Sequence, residues 1–409
     1  MMWGALSLLL ATSSAGVTDA FVVQDKVHLV EVHKGRFVKD VGGKRRRAPK
    51  NATFVVPCAG KRPYVFVGPD GVLDADGTVV AKRTSLISAA DPARLFMAPL
   101  CAPSGEVVRL VTPRGIERIR LDDGKVLQVL PFRPRARTYS GTVHQARARE
   151  RAYAVALSVY VPRMYDVDAN ADGRVDLVVL SDAELSIYLR QADGSFSSSR
   201  IRFDLKRQLK VPVGRPLHVA FGDIDNNGRP DLALSHSAGV VPNETHIAVV
   251  EVRGKTLHTR LRTTREGWWF PMLAQNGAWF RAIDTSMLSL GQALMTQEAD
   301  MTLWRSDGGD LKEQLVVRAH FDLRAPKQNS QLPLLADLDD DGWPELSTLN
   351  KDHLLEIRRG RPQGFSDVVL SKSTPKAAVW VPAPSELLVV ELASGKVHRM
   401  KLPRQRRSR

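Results

Sequence analysis

The sequence is short of cysteine, of aromatic residues and of long apolar runs, and each shortage removes a class of protein. Two cysteines in 409 residues, Cys58 and Cys101, exclude a disulfide-dense scaffold and any Cys-x-x-Cys metal or redox site. Two readings of the pair remain. In an exported chain they form one disulfide across 43 residues, contributing about 3 to 4 kcal/mol; otherwise they are two buried thiols. No apolar run approaches the roughly 18 residues of a membrane-spanning helix, so no transmembrane segment is expected. Aromatics make up 6% of the chain and cluster once, at Trp268-Trp269-Phe270 with Trp279-Phe280, either as core or as a sugar-stacking platform. Enzyme signatures are also missing: there is no GxSxG elbow, P-loop, HExxH or dinucleotide fingerprint. Acidic residues are the minority, 44 against 59 Lys and Arg, a net charge of +15. That favours anionic partners.

What is present is globular. The hydrophobic share is 43%, with 29 Gly and 24 Pro, which excludes wholesale disorder and collagen-like structure. Met1 to Ala11 is an apolar stretch of signal-peptide length followed by small and polar residues, although it carries no Lys or Arg. A signal peptide over 1–20 is expected, with cleavage after Ala15 or Ala20; the alternative is a buried N-terminal strand. Two basic segments, Lys44 to Lys50 and Arg133 to Arg151, are expected as exposed loops, and 403–409 as a disordered basic tail.

Three segments repeat: DANADGRVDL from Asp168, DIDNNGRPDL from Asp223 and DLDDDGWPEL from Asp337. Each reads D-x-[DN]-x-[DN]-G-x-x-[DE]-L. Their first residues are 55 and 114 apart, so a unit of about 57 residues has lost one motif, expected at FRAIDTSMLSL around Asp284. Each acidic loop is followed by a Leu- and Val-rich run and then by an alternating strand, a Gly turn and another strand, as in LSIYLRQADGSF from Leu185. The unit is thus about four short antiparallel strands. Residues 21–402 divide into close to seven such units, and radial closure protects the edges of their sheets. The expected fold class is all-β, a seven-bladed β-propeller of four-stranded antiparallel blades. The motif is clearest over 161–370, and the last strand, Leu387 to Val397, is expected to complete the first blade.

Oxygen donors at positions 1, 3 and 5, Gly at 6 and a carboxylate at 9 describe a wrapped Ca²⁺ loop. The candidate ligands are Asp168, Asn170, Asp172 and Asp176; Asp223, Asp225, Asn227 and Asp231; and Asp337, Asp339, Asp341 and Glu345. Position 7 adds the carbonyls of Arg174, Arg229 and Trp343. An EF-hand is excluded, because position 12 holds Val179, Leu234 and Thr348 where a bidentate Glu is needed. Asx turns alone explain the pattern poorly. Carboxylates about 5 Å apart repel by about 3 kcal/mol per pair at an effective dielectric near 20, so three or four of them call for a cation. Three Ca²⁺ sites are expected. His218 and His236, which flank the second loop, read as packing residues.

These residues and this spacing resemble the FG-GAP or VCBS repeat family, whose best-known members are the N-terminal propellers of integrin α-subunits. Phe221-Gly222 before Asp223 matches the family's Phe-Gly element, whereas the other loops have Met164-Tyr165 and Leu335-Ala336. The resemblance implies that each loop joins two strands of one blade and that its metal is mainly structural. The expected function is a secreted or cell-envelope, integrin-like, Ca²⁺-stabilised binding or adhesion module. Its ligand would be a protein or an anionic glycan, and nucleic acid is not expected as a partner. The alternative is a secreted propeller hydrolase or lyase acting on acidic polysaccharide. No catalytic or cofactor-binding residues are assigned.

Overall fold

The computed structural model describes residues 16–402, apart from 25, 33–35, 41–44, 50–51, 53, 87–99, 134–135, 145–150, 160–161, 182–183, 210–216, 238–243, 285, 287–288, 290–297, 308, 321–333, 351, 353, 375–377, 384–385, 392–393 and 395. The expected tail at 403–409 lies outside the described residues, as does most of the proposed signal peptide. Alternating and β-branched segments separated by Gly and Asp turns yield antiparallel sheets whose strands follow one another in chain order. Eight sheets of three or four strands are described, spanning 16–47, 54–82, 107–130, 163–204, 217–266, 268–320, 334–373 and 378–401, together with a separate hairpin of Ala136–His144 and Arg151–Val159.

Hydrophobic packing joins these sheets in a ring. Val30 and Val38 of the first meet Val55 and Phe66 of the second. A shared core of Val67, Ile116 and Leu177 links the second, third and fourth sheets. Ile187 packs with Leu234, Val249 with Phe280, Leu303 with Leu346 and Ile357 with Val389. Val27 and Leu29 of the first sheet then meet Leu388 and Val390 of the last, which closes the circuit. Sheets packed face to face in cyclic order are the blades of a β-propeller.

The expected count of seven is not confirmed: among the described residues there are eight sheets of three or four strands and the separate hairpin. Sheets beginning at 54, 107, 163, 217, 268 and 334 keep a spacing of roughly the expected unit, but the first sheet begins at 16, only 38 residues before the second, and the last at 378, only 44 after the seventh. The C-terminal strands also do not complete the first blade. Glu386–Glu391 pairs with Ala378–Ala383 and with Val397–Lys401 in a sheet of its own. Of the basic segments expected as loops, Arg45–Arg47 is the fourth strand of blade 1, and most of Arg133 to Arg151 enters the hairpin. Basic side chains on an outermost strand oppose edge-to-edge pairing.

Cys58 and Cys101 form a disulfide, with Cα atoms 5.5 Å apart, and no free cysteine remains. The bond ties the end of the first strand of blade 2 (Phe54–Pro57) to a residue that bridges to Val108 in blade 3. The aromatic patch is largely core: Trp269, Trp279 and Phe280 are buried at the faces of blade 6.

Candidate metal centres

Each acidic loop joins the first two strands of its blade. Asp168 to Asp176 connects Arg163–Val167 to Asp176–Ser181, and Asp223 to Asp231 connects Leu217–Gly222 to Asp231–Ser237. Asp337 to Glu345 connects Leu334–Ala336 to Glu345–Leu349.

The three backbones follow one course. Position 4 is left-handed although it is never Gly, with φ of 58° at Ala171, 57° at Asn226 and 59° at Asp340. At position 6, Gly173, Gly228 and Gly342 have φ of 81°, 77° and 90°, a region that L side chains rarely occupy. A Cβ at Gly173 or Gly228 would meet nothing within 4 Å, so glycine is needed there for its conformation and not for space. The position 1 carboxylate is fixed by the position 6 amide: Gly173 N donates to Asp168 Oδ2 at 2.7 Å, Gly228 N to Asp223 Oδ2 at 2.8 Å and Gly342 N to Asp337 Oδ2 at 3.0 Å. The closing carboxylate accepts from the position 2 amide, from Ala169 N at 2.9 Å, Ile224 N at 2.9 Å and Leu338 N at 2.7 Å. Position 5 accepts from position 7, where Arg174, Arg229 and Trp343 donate to Asp172, Asn227 and Asp341.

The loops differ in what their carboxylates have left to offer. Oxygens of Asp223, Asp225 and Asp231 converge within 4.8 Å of one another, as do those of Asp337, Asp339 and Glu345. Among these, Asp231 Oδ1, Asp337 Oδ1, Asp339 Oδ1 and Glu345 Oε1 are buried without a hydrogen bond. Buried, unsatisfied carboxylate oxygens aimed at one another are costly unless a cation joins them. Burial pushes Asp231 up to about 6, with Asp225 and Glu251 adding to the rise. Burial together with Asp339, Asp341 and Asp337 pushes Glu345 up to about 7. These groups offer only oxygen, and in each the closing carboxylate, Asp231 or Glu345, is buried, which suits a hard divalent ion such as Ca²⁺.

In the first loop both oxygens of Asp176 are satisfied, the second by Arg190 N at 2.7 Å. Position 3 is the amide of Asn170. Asp172 Oδ2 is engaged by Asn170 Nδ2 at 2.9 Å and Arg174 Nη2 at 2.5 Å. The frame is the same, but the unfilled demand for a cation is smaller.

Arginines complete the electrostatics, and sequence reasoning missed two of them. Arg260 Nη1 donates to Asp225 Oδ2 at 2.5 Å, while its Nη2 and Nε hold the buried Glu251 at 2.6 and 3.2 Å. Arg359 Nε donates to Asp339 Oδ2 at 3.1 Å. Arg260 lies 35 residues from Asp225, and no local spacing marks it. Both arginines hold the position 3 carboxylate by one oxygen.

The lost loop is not at Asp284. In blade 6 the equivalent connection is the tight turn Gln275 to Gly277 between Trp268–Ala274 and Ala278–Ile283, and Asp284 follows the second of these strands. That turn ties the neighbouring loops together. Asn226 Nδ2 donates to Asn276 Oδ1, Asn276 Nδ2 donates to the Gly342 carbonyl, and Gln275 Nε2 reaches Asp337 Oδ2 at 3.4 Å. Arg305 lies over the Trp343 ring, 4.7 Å from its centroid. His218 packs edge-on against Phe270 at 4.8 Å and is held down at about 4 by burial and by Arg163 and Arg281, in keeping with a packing role.

Comparison with known proteins places an FG-GAP-like repeat at residues 168–234, the stretch from the first acidic loop into the strand after the second. No curated protein matches the sequence. Among solved structures, Hsv2 of Kluyvelomyces marxianus is similar at 10% identity and a TM-score of 0.36, over 96% of this chain and 94% of that one. The Dos1 propeller is similar at 8% identity and 0.41, over 95% and 93%. The dihydro-heme d1 dehydrogenase NirN in complex with DHE is similar at 13% and 0.40, over 92% and 74%. At these scores the likenesses say nothing about ligand or activity.

Proposed function

We propose that this chain, a propeller carrying an FG-GAP-like repeat at 168–234, is a secreted or envelope protein. In this reading Ca²⁺ locks its loops so that the rigid ring can serve as a binding or adhesion module. The observation that supports it best is the pair of convergent carboxylate triads with buried oxygens that lack a hydrogen bond. Asp337, Asp339, Asp341 and Glu345 with the Trp343 carbonyl would hold one ion. Asp223, Asp225, Asn227 and Asp231 with the Arg229 carbonyl would hold a second. Asp168, Asn170, Asp172 and Asp176 with the Arg174 carbonyl form a third and weaker site. The ion would neutralise carboxylates that otherwise repel, and so join the first two strands of each blade. Locked strand ends hold the remaining loops in fixed positions, which is what a recognition surface on a rigid scaffold needs.

The Cys58–Cys101 disulfide fits an oxidising compartment outside the cytoplasm. The strand Gly16–Val23 pairs along its length with Lys26–Val32, so cleavage of a signal peptide after Ala15 would leave blade 1 whole, whereas cleavage after Ala20 would remove most of that strand. The +15 charge suits an anionic glycan or an acidic protein surface as ligand. Calorimetry with Ca²⁺ and with chelator tests the metal reading: a sharp fall in melting temperature on chelation is expected, and an unchanged transition would refute it. Recovery of a native partner with Ca²⁺, and its loss with chelator, tests the binding role.

A further inference from the structure

Blade 5 carries a second feature, remote in chemistry from the acidic loops. Two cross-strand rows lie side by side on the face it turns toward blade 4. Leu234, Ala248 and Arg262 form one row, and His236, His246 and Thr264 form the other. Because side chains alternate along a strand, all six project to the same side. Ala248 is the smallest of them and sits in the middle of its row. Where a larger residue would fill the gap between blades, a cavity of about 450 Å³ remains, roofed by Leu209 from the helix Leu205–Leu209 of blade 4. That size lies within the range of small-molecule sites, roughly 300 to 1,000 Å³.

The lining has two chemical ends. Leu209, Leu234 and Ala248 are buried and apolar. The rings of His236 and His246 run parallel, with centroids 6.4 Å apart and planes 4° from one another, and His236 is only 1% exposed. At the other end, His246 Nδ1 shares a hydrogen bond of 3.0 Å with Thr264 Oγ1. Arg262, one residue pair further along the strand, has no carboxylate partner among the described residues. In a chain of net charge +15 many cations lack an acid, and what marks Arg262 is its place: it is exposed and lines the same cavity as the apolar Leu209, Leu234 and Ala248, so its guanidinium can donate to an anion held there.

We propose that this cavity binds a small aromatic carboxylate, with its carboxylate on Arg262 and Thr264 and its ring over Ala248 and Leu234 beside the histidine pair. Inorganic phosphate fits less well, because it would leave the apolar end unfilled and has one guanidinium to meet two charges. A divalent metal fits less well still: two imidazoles are too few ligands, and Arg262 repels a cation.

Benzoate is the probe. Titration of the full chain in Ca²⁺-containing buffer, followed by calorimetry, is expected to show saturable binding to one site. Benzamide, with the same shape and no charge, is expected to bind at least tenfold more weakly, and phosphate likewise. Arg262→Gln, at an exposed position, is expected to weaken benzoate at least tenfold with the melting temperature unchanged. Ala248→Leu fills the void and is expected to abolish binding while keeping the cation. Absence of saturable benzoate binding, equal affinity in Arg262→Gln, or a preference for phosphate would each overturn the proposal. None of these readings depends on whether the acidic loops hold Ca²⁺.

Discussion

Glu345→Gln separates a metal site from an acidic turn, because the structure fixes the sign and size of its effect. The Glu345 side chain is fully buried, with Oε2 accepting from Leu338 N and Oε1 unpartnered. Its acidity shifts from a model-peptide value of 4.5 to about 7, first through burial and then through Asp339, Asp341 and Asp337. A carboxylic acid raised on folding binds its proton more tightly in the folded state. Its contribution to stability is therefore intact below about 4.5 and is lost as pH rises through about 7. The difference, at 1.36 kcal/mol per pH unit, comes to about 3 kcal/mol. In chelator, the wild-type protein is expected to lose about that much from this group between pH 4.5 and pH 8. The glutamine variant keeps the acceptor for Leu338 but has nothing to titrate, so its loss should be smaller by the same amount. With Ca²⁺ at pH 8 the order reverses. An ion at a hundred times its dissociation constant adds about 2.7 kcal/mol per site, and the variant forfeits the share of the third loop. Urea denaturation at pH 4.5 and pH 8, with Ca²⁺ and with chelator, reads all four conditions for both proteins. Identical pH dependence and identical Ca²⁺ gain in the two proteins would refute the reasoning.

Other consequences are as specific. Trp343 at position 7 is the one aromatic residue at that position in the three loops, so Tb³⁺ luminescence excited through tryptophan should report the third loop and should vanish in Asp337→Asn; emission that survives this change would place the ion elsewhere. Arg260→Met removes the main cation from Asp225 and the buried Glu251 and should cost about 3 kcal/mol in chelator, with a smaller deficit in Ca²⁺; an equal deficit in both conditions would remove Arg260 from the site. Gly228→Ala forces a Cβ into φ of 77° where space is open, so it should cost about 1 to 2 kcal/mol by conformation alone, measurable by denaturant midpoint. Reducing Cys58–Cys101 should cost about 3 to 4 kcal/mol, and a thiol-insensitive midpoint would contradict this.

The acidic loops were legible because their geometry is local. Alternating Asp and Asn with Gly at position 6 leaves the backbone one economical course, and Ala171, Asn226 and Asp340 take it within 2° of one another. The strands were legible for the same reason, since alternation and turn residues act over a few neighbours. Sequence periodicity misled where the unit length changed, at the first and last sheets, and where a nine-residue loop shrank to Gln275 to Gly277 and left no acidic trace.

Residue order alone therefore determined the all-β class, the repeat and the acidic course of each loop, because those follow from chain neighbours and from the turn geometry they favour. Tertiary structure decided the rest. Ring closure between Leu29 and Leu388, the grip of Arg260 and Arg359 on position 3, the satisfaction of Asp176 by a distant amide and the gap over Ala248 all join residues from different strands or blades. Which distant groups meet is set by how whole sheets pack, and packing is a property of summed surfaces that no short window of sequence contains.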